Sequence, residues 1–509
     1  MNKILSILIL IMALIAISAL FSSCRKNVFT KDPADKLMFS TDTVQFDTIF
    51  TGIGSTTKHL VVKNSNKSKS INIDRIYLAK GTSSKYRLNI DGHKTSKDYK
   101  LENYALAPGD SIFIFVEVTI NPGTDDLVEQ DSIIFESNGN SQDVDLVAFG
   151  QNVTLLSGRM ITQDTTWNAD KPVLIYNSAM VDTLVTLTVM PGAKVYLHNK
   201  SSLFVKGTLK SLGEIGNRVT FTGDRLEEYY RYTPGQWGAY LQDEDGNTRG
   251  VYGGIHLLAG SRYNELNNTD ITNALIGVQV DSVVTPDAPT LKMKNTNIEN
   301  AKIACLYALG AHIEAENCVF ANSSQYTVAC WIGGKYSFTH CTMANYSVGV
   351  RQAPQVSLNN YYTYRDANGN TQISYRDLIG AYFANCIIYG YNKKEIGFDF
   401  VSGATSNVLF DNCLIRYENN DELLQSASSS FVDNIFNEDP MFASTVKPYL
   451  YNILEVSAAK DKAKIPISET CPLDHEGINR LAFDGKPDIG AFEYQPEDST
   501  IQRFFRRRK

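Results

Sequence analysis

Asn268-Thr269-Asp270-Ile271 is followed along the chain by Asn295-Thr296-Asn297-Ile298, Asn317-Cys318-Val319-Phe320, His340-Cys341-Thr342-Met343, Asn385-Cys386-Ile387-Ile388 and Asn412-Cys413-Leu414-Ile415. The intervals are 27, 22, 23, 45 and 27 residues, and 45 is two periods of about 22 with a tyrosine-rich stretch inserted near 351–380. A period of this length predicts a solenoid, whose repeats are each too small to bury an apolar face alone. Successive strand residues point to opposite sides, so the second and fourth residues of each block share one. Those pairs are Thr/Ile, Thr/Ile, Cys/Phe, Cys/Met, Cys/Ile and Cys/Ile, and that side is assigned to the interior. Asn recurs five residues into the repeat at Asn273, Asn300, Asn322 and Asn345. Its amide suits tight turns and can bond to backbone or to its counterpart on the next rung, so these Asn are read as structural.

Composition agrees with strands. The 34 Gly against 15 Pro, with 27 Tyr and 24 Phe, favour pleated, half-buried surfaces over helices. A formal charge of −7 argues against nucleic-acid binding.

At the start, Lys3, an apolar run from Ile4 to Leu20 and Phe21-Ser22-Ser23-Cys24 have the form of a secretory signal over 1–23. The ending resembles the lipobox of bacterial lipoproteins. That resemblance implies acylation of the Cys24 thiol, attachment to a membrane through the lipid and, with Arg25 next in the chain, delivery to the outer membrane of the cell envelope. An uncleaved anchor is the alternative, since 17 apolar residues sit at the low end of spanning length. A polar linker over 24–36 follows.

An exported chain with eight Cys invites a disulfide framework. Here Cys318, Cys341, Cys386 and Cys413 fill one slot of successive repeats, and Cys305 and Cys330 recur in I-A-C and V-A-C, which reads as small core filler. Neighbouring rungs at roughly 4.8 Å leave bridging geometrically open. No His or carboxylate recurs beside these slots, so no metal and no cofactor is expected.

Short alternating strands with turn signals between them occupy 37–152, including Val44 to Phe50, His59 to Asn64 and Ser111 to Val118. They predict an all-β sandwich of about seven strands. The order V-x-N, I-x-x-I, P-G-D-S-I, D-S-I-I-F-x-S-N-G resembles immunoglobulin-like modules at the base of exported bacterial proteins, which implies a stalk. From 153 to 438, Leu187 to Leu197, Leu203 to Leu209, Val219 to Gly223 and the Asn blocks resemble right-handed parallel β-helices of the pectate-lyase-like kind, and about ten coils fit the span.

Over 439–495, Asp439-Pro440-Met441-Phe442, Pro472 to Arg480 and Pro487-Asp488-Ile489-Gly490-Ala491-Phe492-Glu493 resemble the terminal segment of exported β-helix proteins. The segment is expected to cap the open end of the stack, an unpaired edge. Its Asp474, His475 and Arg480 are assigned to that cap, with catalysis the lesser reading. The basic tail 496–509 is expected to be solvated or to lean on phosphate-rich headgroups.

The β-helix resemblance implies carbohydrate chemistry, but neither the acid-rich strand of the lyases nor the paired Asp and G-H-G element of the hydrolases is found. Asp243-Glu244-Asp245-Gly246-Asn247 lacks calcium-loop spacing and reads as a turn. Two inserts carry the ligand-binding expectation. One holds Tyr229, Tyr230, Tyr232 and Trp237. The other holds Tyr361, Tyr362, Tyr364, Arg365, Tyr375 and Arg376 around an Asn368-Gly369 turn and reads as a protruding hairpin. Aromatic faces and Arg/Asp bonding suit sugar rings. The expected function is binding of an extended polysaccharide, with a polysaccharide lyase and a structural surface protein as alternatives.

Overall fold

The computed structural model describes residues 28–94, 100–123, 127–281, 288–347, 349, 351–417, 428–482 and 485–496. The signal segment, Cys24 and the tail from 497 lie outside them. The chain divides into two units, 1–152 and 153–509.

In the first unit, strands such as Ser111–Val118 alternate buried and exposed residues along their length. That pattern builds two five-stranded sheets. Phe46, Leu60, Ile76, Tyr86, Ile114 and Phe135 belong to the shared core of this sandwich. Ten strands form where about seven are expected. Most pairs are antiparallel, and Thr43–Phe50 runs parallel to Asn140–Gln151. Residues 28–36, expected as linker, are tied to the sandwich. Thr30 donates its N–H to Ser70, and Asn66 and Asn138 donate to Asp35.

The stack of the second unit is built of parallel ladders, and each coil contributes up to three strands. One face, C, is a ten-stranded sheet from Thr165–Trp167 to Phe431–Val432. Face A stacks Lys194–Leu197, Val219–Gly223, Thr269–Thr272, Asn297–Glu299, Val319–Ala321, Thr342–Asn345, Ile387–Gly390, Leu414–Ile415 and Ile435–Phe436. Face B stacks Leu203–Val205, Ile255–Leu257, Ile276–Val280, Ala304–Leu309, Tyr326–Trp331, Val356–Asn359 and Ile396–Asp399. This is a parallel β-helix of ten rungs along face C.

The block heads make the corner between faces C and A. Asn268, Asn295, Asn317, His340, Asn385 and Asn412 have φ of 44 to 56°, a left-handed conformation that Asn adopts at low cost. Their amides form a ladder: Asn295 donates to Asn268 at 3.3 Å, Asn317 to Asn295 at 3.1 Å and Asn412 to Asn385 at 2.9 Å. The second and fourth block residues are buried throughout, as the alternation requires. The seven described cysteines are free and buried. Cys341 and Cys413 are pushed well up by burial in the apolar stack, so they behave as filler. Phe338, Phe383, Phe410 and Phe431 stack from rung to rung at 4.8, 4.6 and 5.2 Å.

The C-terminal segment lies along the side of the stack, which corrects the expectation of a cover over its end. Its Phe442, Tyr451, Ile453, Ile489, Ala491 and Phe492 pack on the outward residues Val319, Ala321, Ala344, Ile387, Tyr389 and Leu414 of face A. These rungs present apolar side chains outward as well as inward, so covering them removes that apolar surface from water. The quoted motif residues hold this contact. Arg480 reaches Glu493 at 2.6 Å and Asn317 at 2.8 Å. Asp474 accepts from three backbone amides. The His475 ring bonds to the Asn317 carbonyl at 2.7 Å, and burial drives its pKa down to about 3. Gly490 has φ 101°, and a Cβ there would sit 2.6 Å from Ile387. All four are structural.

Candidate functional site

The outward side of face A changes character along the stack. Its outward positions are the third and fifth residues counted from each block head. They read Asp270 and Thr272, Asn297 and Glu299, then Val319 and Ala321, Thr342 and Ala344, Ile387 and Tyr389, in direct register. The C-terminal segment packs on the apolar rungs and only walls the side of the polar ones. The uncovered rungs floor a groove with two compartments of about 1190 and 280 Å³ that share Glu299, Tyr449 and Leu450.

The larger compartment runs between the insert after Gly223 and residues 447–450. Tyr232 meets Tyr449 edge to face at 6.1 Å, and Lys447 lies 5.4 Å over the Tyr232 ring. Arg225, clamped by Glu227, lies 3.9 Å over Tyr230. The floor presents Thr222, Thr272 and the amides of Asn273, Asn300 and Asn322. Asn300 donates to Asn273 at 2.7 Å, which fixes both. Rings with apolar faces beside fixed amides and mobile cations are the surface that hydroxyl-rich rings bind.

The smaller compartment gathers Arg218, Asp270, Asn297, Glu299, Tyr451, Asn452 and Glu476. Arg218 pairs with Asp270 at 2.8 Å. Burial, then the neighbouring Asp270 charge, push Glu299 up to about 7, against the pull of Arg218. Burial also raises Glu476. The Tyr451 hydroxyl is buried, and although Asn322 approaches it, no contact has hydrogen-bond geometry. Among the described residues no cluster of His, Cys, Asp and Glu fits a metal ion.

The residues expected to bind ligand are not brought together. The hairpin of Tyr361–Arg365 and Thr371–Tyr375 leaves the stack between faces B and C, whereas the 224–252 insert leaves between faces A and B. On the hairpin, Tyr362, Tyr364 and Tyr375 are exposed, as are Arg365 and Arg376, and Tyr361 donates to Asp399 at 2.7 Å. Its Asp366 is spent on the turn, accepting from Asn368, Asn370 and Gln372. On the insert, Tyr229 is exposed, Tyr230 lies under Arg225 and Tyr232 joins the groove. Trp237 is a correction: it is wholly buried, donates to the Thr272 carbonyl at 2.8 Å and packs where Gly254 leaves room. Its size makes it a core plug where two faces meet.

Sequence reading missed Asp270, Glu299, Tyr449, Tyr451 and Glu476. The available signal was the switch from polar to apolar at the third and fifth positions.

No family model matches the chain, and no curated protein matches it. Among solved structures, one on glycolipid glycan hydrolysis by a family 123 glycoside hydrolase from Clostridium perfringens aligns at 7% identity with a TM-score of 0.17. The alignment covers 25% of this chain and 30% of that one, under a third of either.

Proposed function

We propose that this is a lipid-anchored envelope protein whose groove on face A binds an extended polysaccharide. The observation that carries the reading is the open groove, with two compartments in line, tyrosines at its rim and fixed amides along its floor. The anchor at Cys24 and delivery to the outer membrane rest on the lipobox resemblance, and loss of palmitate labelling and membrane retention in Cys24→Ala tests them.

Affinity electrophoresis in gels cast with polygalacturonate, xylan, chondroitin sulfate or starch tests the groove. At least one should retard the protein. Tyr232→Ala with Tyr449→Ala should weaken that retention about tenfold or more, at about 1 kcal/mol per lost ring contact. Unchanged retention removes the groove from the reading. A second reading places the ligand on the hairpin, favoured by Tyr364 and Tyr375 at 48 and 52% exposure. It predicts the loss in Tyr364→Ala with Tyr375→Ala instead.

A further inference from the structure

Glu299 lines both compartments of the groove. Burial and the Asp270 charge raise its pKa, and Arg218 opposes them. On the preceding rung Thr272 pairs with Glu299 and Asp270 pairs with Asn297, so Asp270 is the diagonal neighbour of Glu299 on the same side. A rung spacing of ~4.8 Å and a rise of ~3.3 Å per residue put their Cβ atoms roughly 8 Å apart. Both bonds to Asp270, from Arg218 Nε at 2.8 Å and Asn297 Nδ2 at 2.9 Å, fall on Oδ1. Its Oδ2 is left to accept another proton donor.

The wall opposite supplies a second, independent sign that something binds here. Tyr451, 4% exposed, lines the smaller compartment, and its hydroxyl has no partner of hydrogen-bond geometry among the described residues. A buried hydroxyl left open costs free energy that a bound hydroxyl would recover. Glu476 and Arg218 complete the charged groups that share the compartment with Glu299.

We propose that the groove hydrolyses the glycan it binds, with Glu299 giving a proton to the glycosidic oxygen and Asp270 Oδ2 taking one from the attacking water. The inference rests on the polysaccharide-binding reading. In the step, the water oxygen bonds to the anomeric carbon as the bond from that carbon to the bridging oxygen breaks. The leaving oxygen takes the Glu299 proton and the water proton passes to Asp270. One water is consumed per bond cleaved, and the two carboxyls recover by exchange with solvent. A carboxyl that burial holds protonated toward neutral pH and a second paired with an arginine, with one oxygen left open, can divide acid and base roles between them. Their spacing leaves room for a water.

The test uses the full mature chain and the same four polysaccharides, measuring retention in the gel and release of reducing ends in solution. Wild type should release reducing ends from the polysaccharide that retards it, at a rate that falls as pH rises through about 7, where Glu299 loses its proton. Glu299→Gln should cut the rate on the order of 10²-fold or more with retention kept. Asp270→Asn should do the same, and melting temperatures check that both variants fold. Retention without release overturns the hydrolytic proposal and leaves the binding reading standing. Undiminished release by Glu299→Gln overturns it too, as do unsaturated products absorbing in the ultraviolet, which would mark elimination. Absence of retention on all four overturns the binding reading and this one with it.

Discussion

Two halves of one strand stack differ in what their outward positions carry. From Val319 onward, face A shows Val319, Ala321, Ala344, Ile387, Tyr389 and Leu414 to the outside, and the C-terminal segment lies on them. On the two rungs before it the same positions hold Asp270, Thr272, Asn297 and Glu299, and a groove lies open. The backbone ladder passes through both without a break. The covering segment follows apolar area, because burying it is favourable while further desolvating the Glu299 carboxyl and the Arg218–Asp270 pair would be costly. The groove is thus the remainder of the face that the segment has no reason to cover.

The comparison breaks most severely if the clamp on the covered half is removed. Arg480→Ala leaves Glu493 buried without its cation, and the unfolding free energy should fall by about 3–5 kcal/mol in urea titration. A loss below about 1 kcal/mol would mean that the covered half holds without this pair. The two halves can then be set against each other directly. Ile387→Asp puts an unpaired charge beneath the segment and should cost about 3 kcal/mol, whereas Thr272→Asn on the open half should cost no more than about 1 kcal/mol, for its bond to Thr222. Equal costs would show that the groove is not open in solution.

The halves should also separate by pH. Glu299 holds its proton more tightly when folded, so its contribution to stability is full below about 4.5 and is lost as pH rises through about 7. Wild type should therefore lose stability relative to Glu299→Gln between pH 5 and 8, on the order of 2 kcal/mol after allowing for partial solvent access. The difference cancels the contributions of His475 and Glu493 in the covered half, which oppose one another. No divergence between the two proteins would mean that Glu299 is solvated. The smallest effect belongs to the hairpin: Tyr364→Ala with Tyr375→Ala should leave the melting temperature within about 1 °C, because those rings stand outside the stacked core. A large drop would show that they pack against the coils.

The repeat by itself determined the solenoid, the interior side of each block and the Asn corners. These depend on contacts between a residue and its counterpart one period away, and a period is visible in a linear string. Alternation likewise marked the sandwich strands, although it undercounted them and left 28–36 as linker, because a docking backbone bond such as that from Thr30 to Ser70 has no side-chain signature. Trp237 read as a ligand platform from its neighbours in the insert and proved to be core, since burial depends on which faces meet at that corner. The groove belongs wholly to the tertiary structure. Glu299 and Asp270 are 29 residues apart, and Tyr451 and Glu476 come from a segment with no repeat at all. Only the return of that segment along the side of face A, driven by apolar area that the strands leave outward, decides where it stops and which carboxyls face one another across the gap.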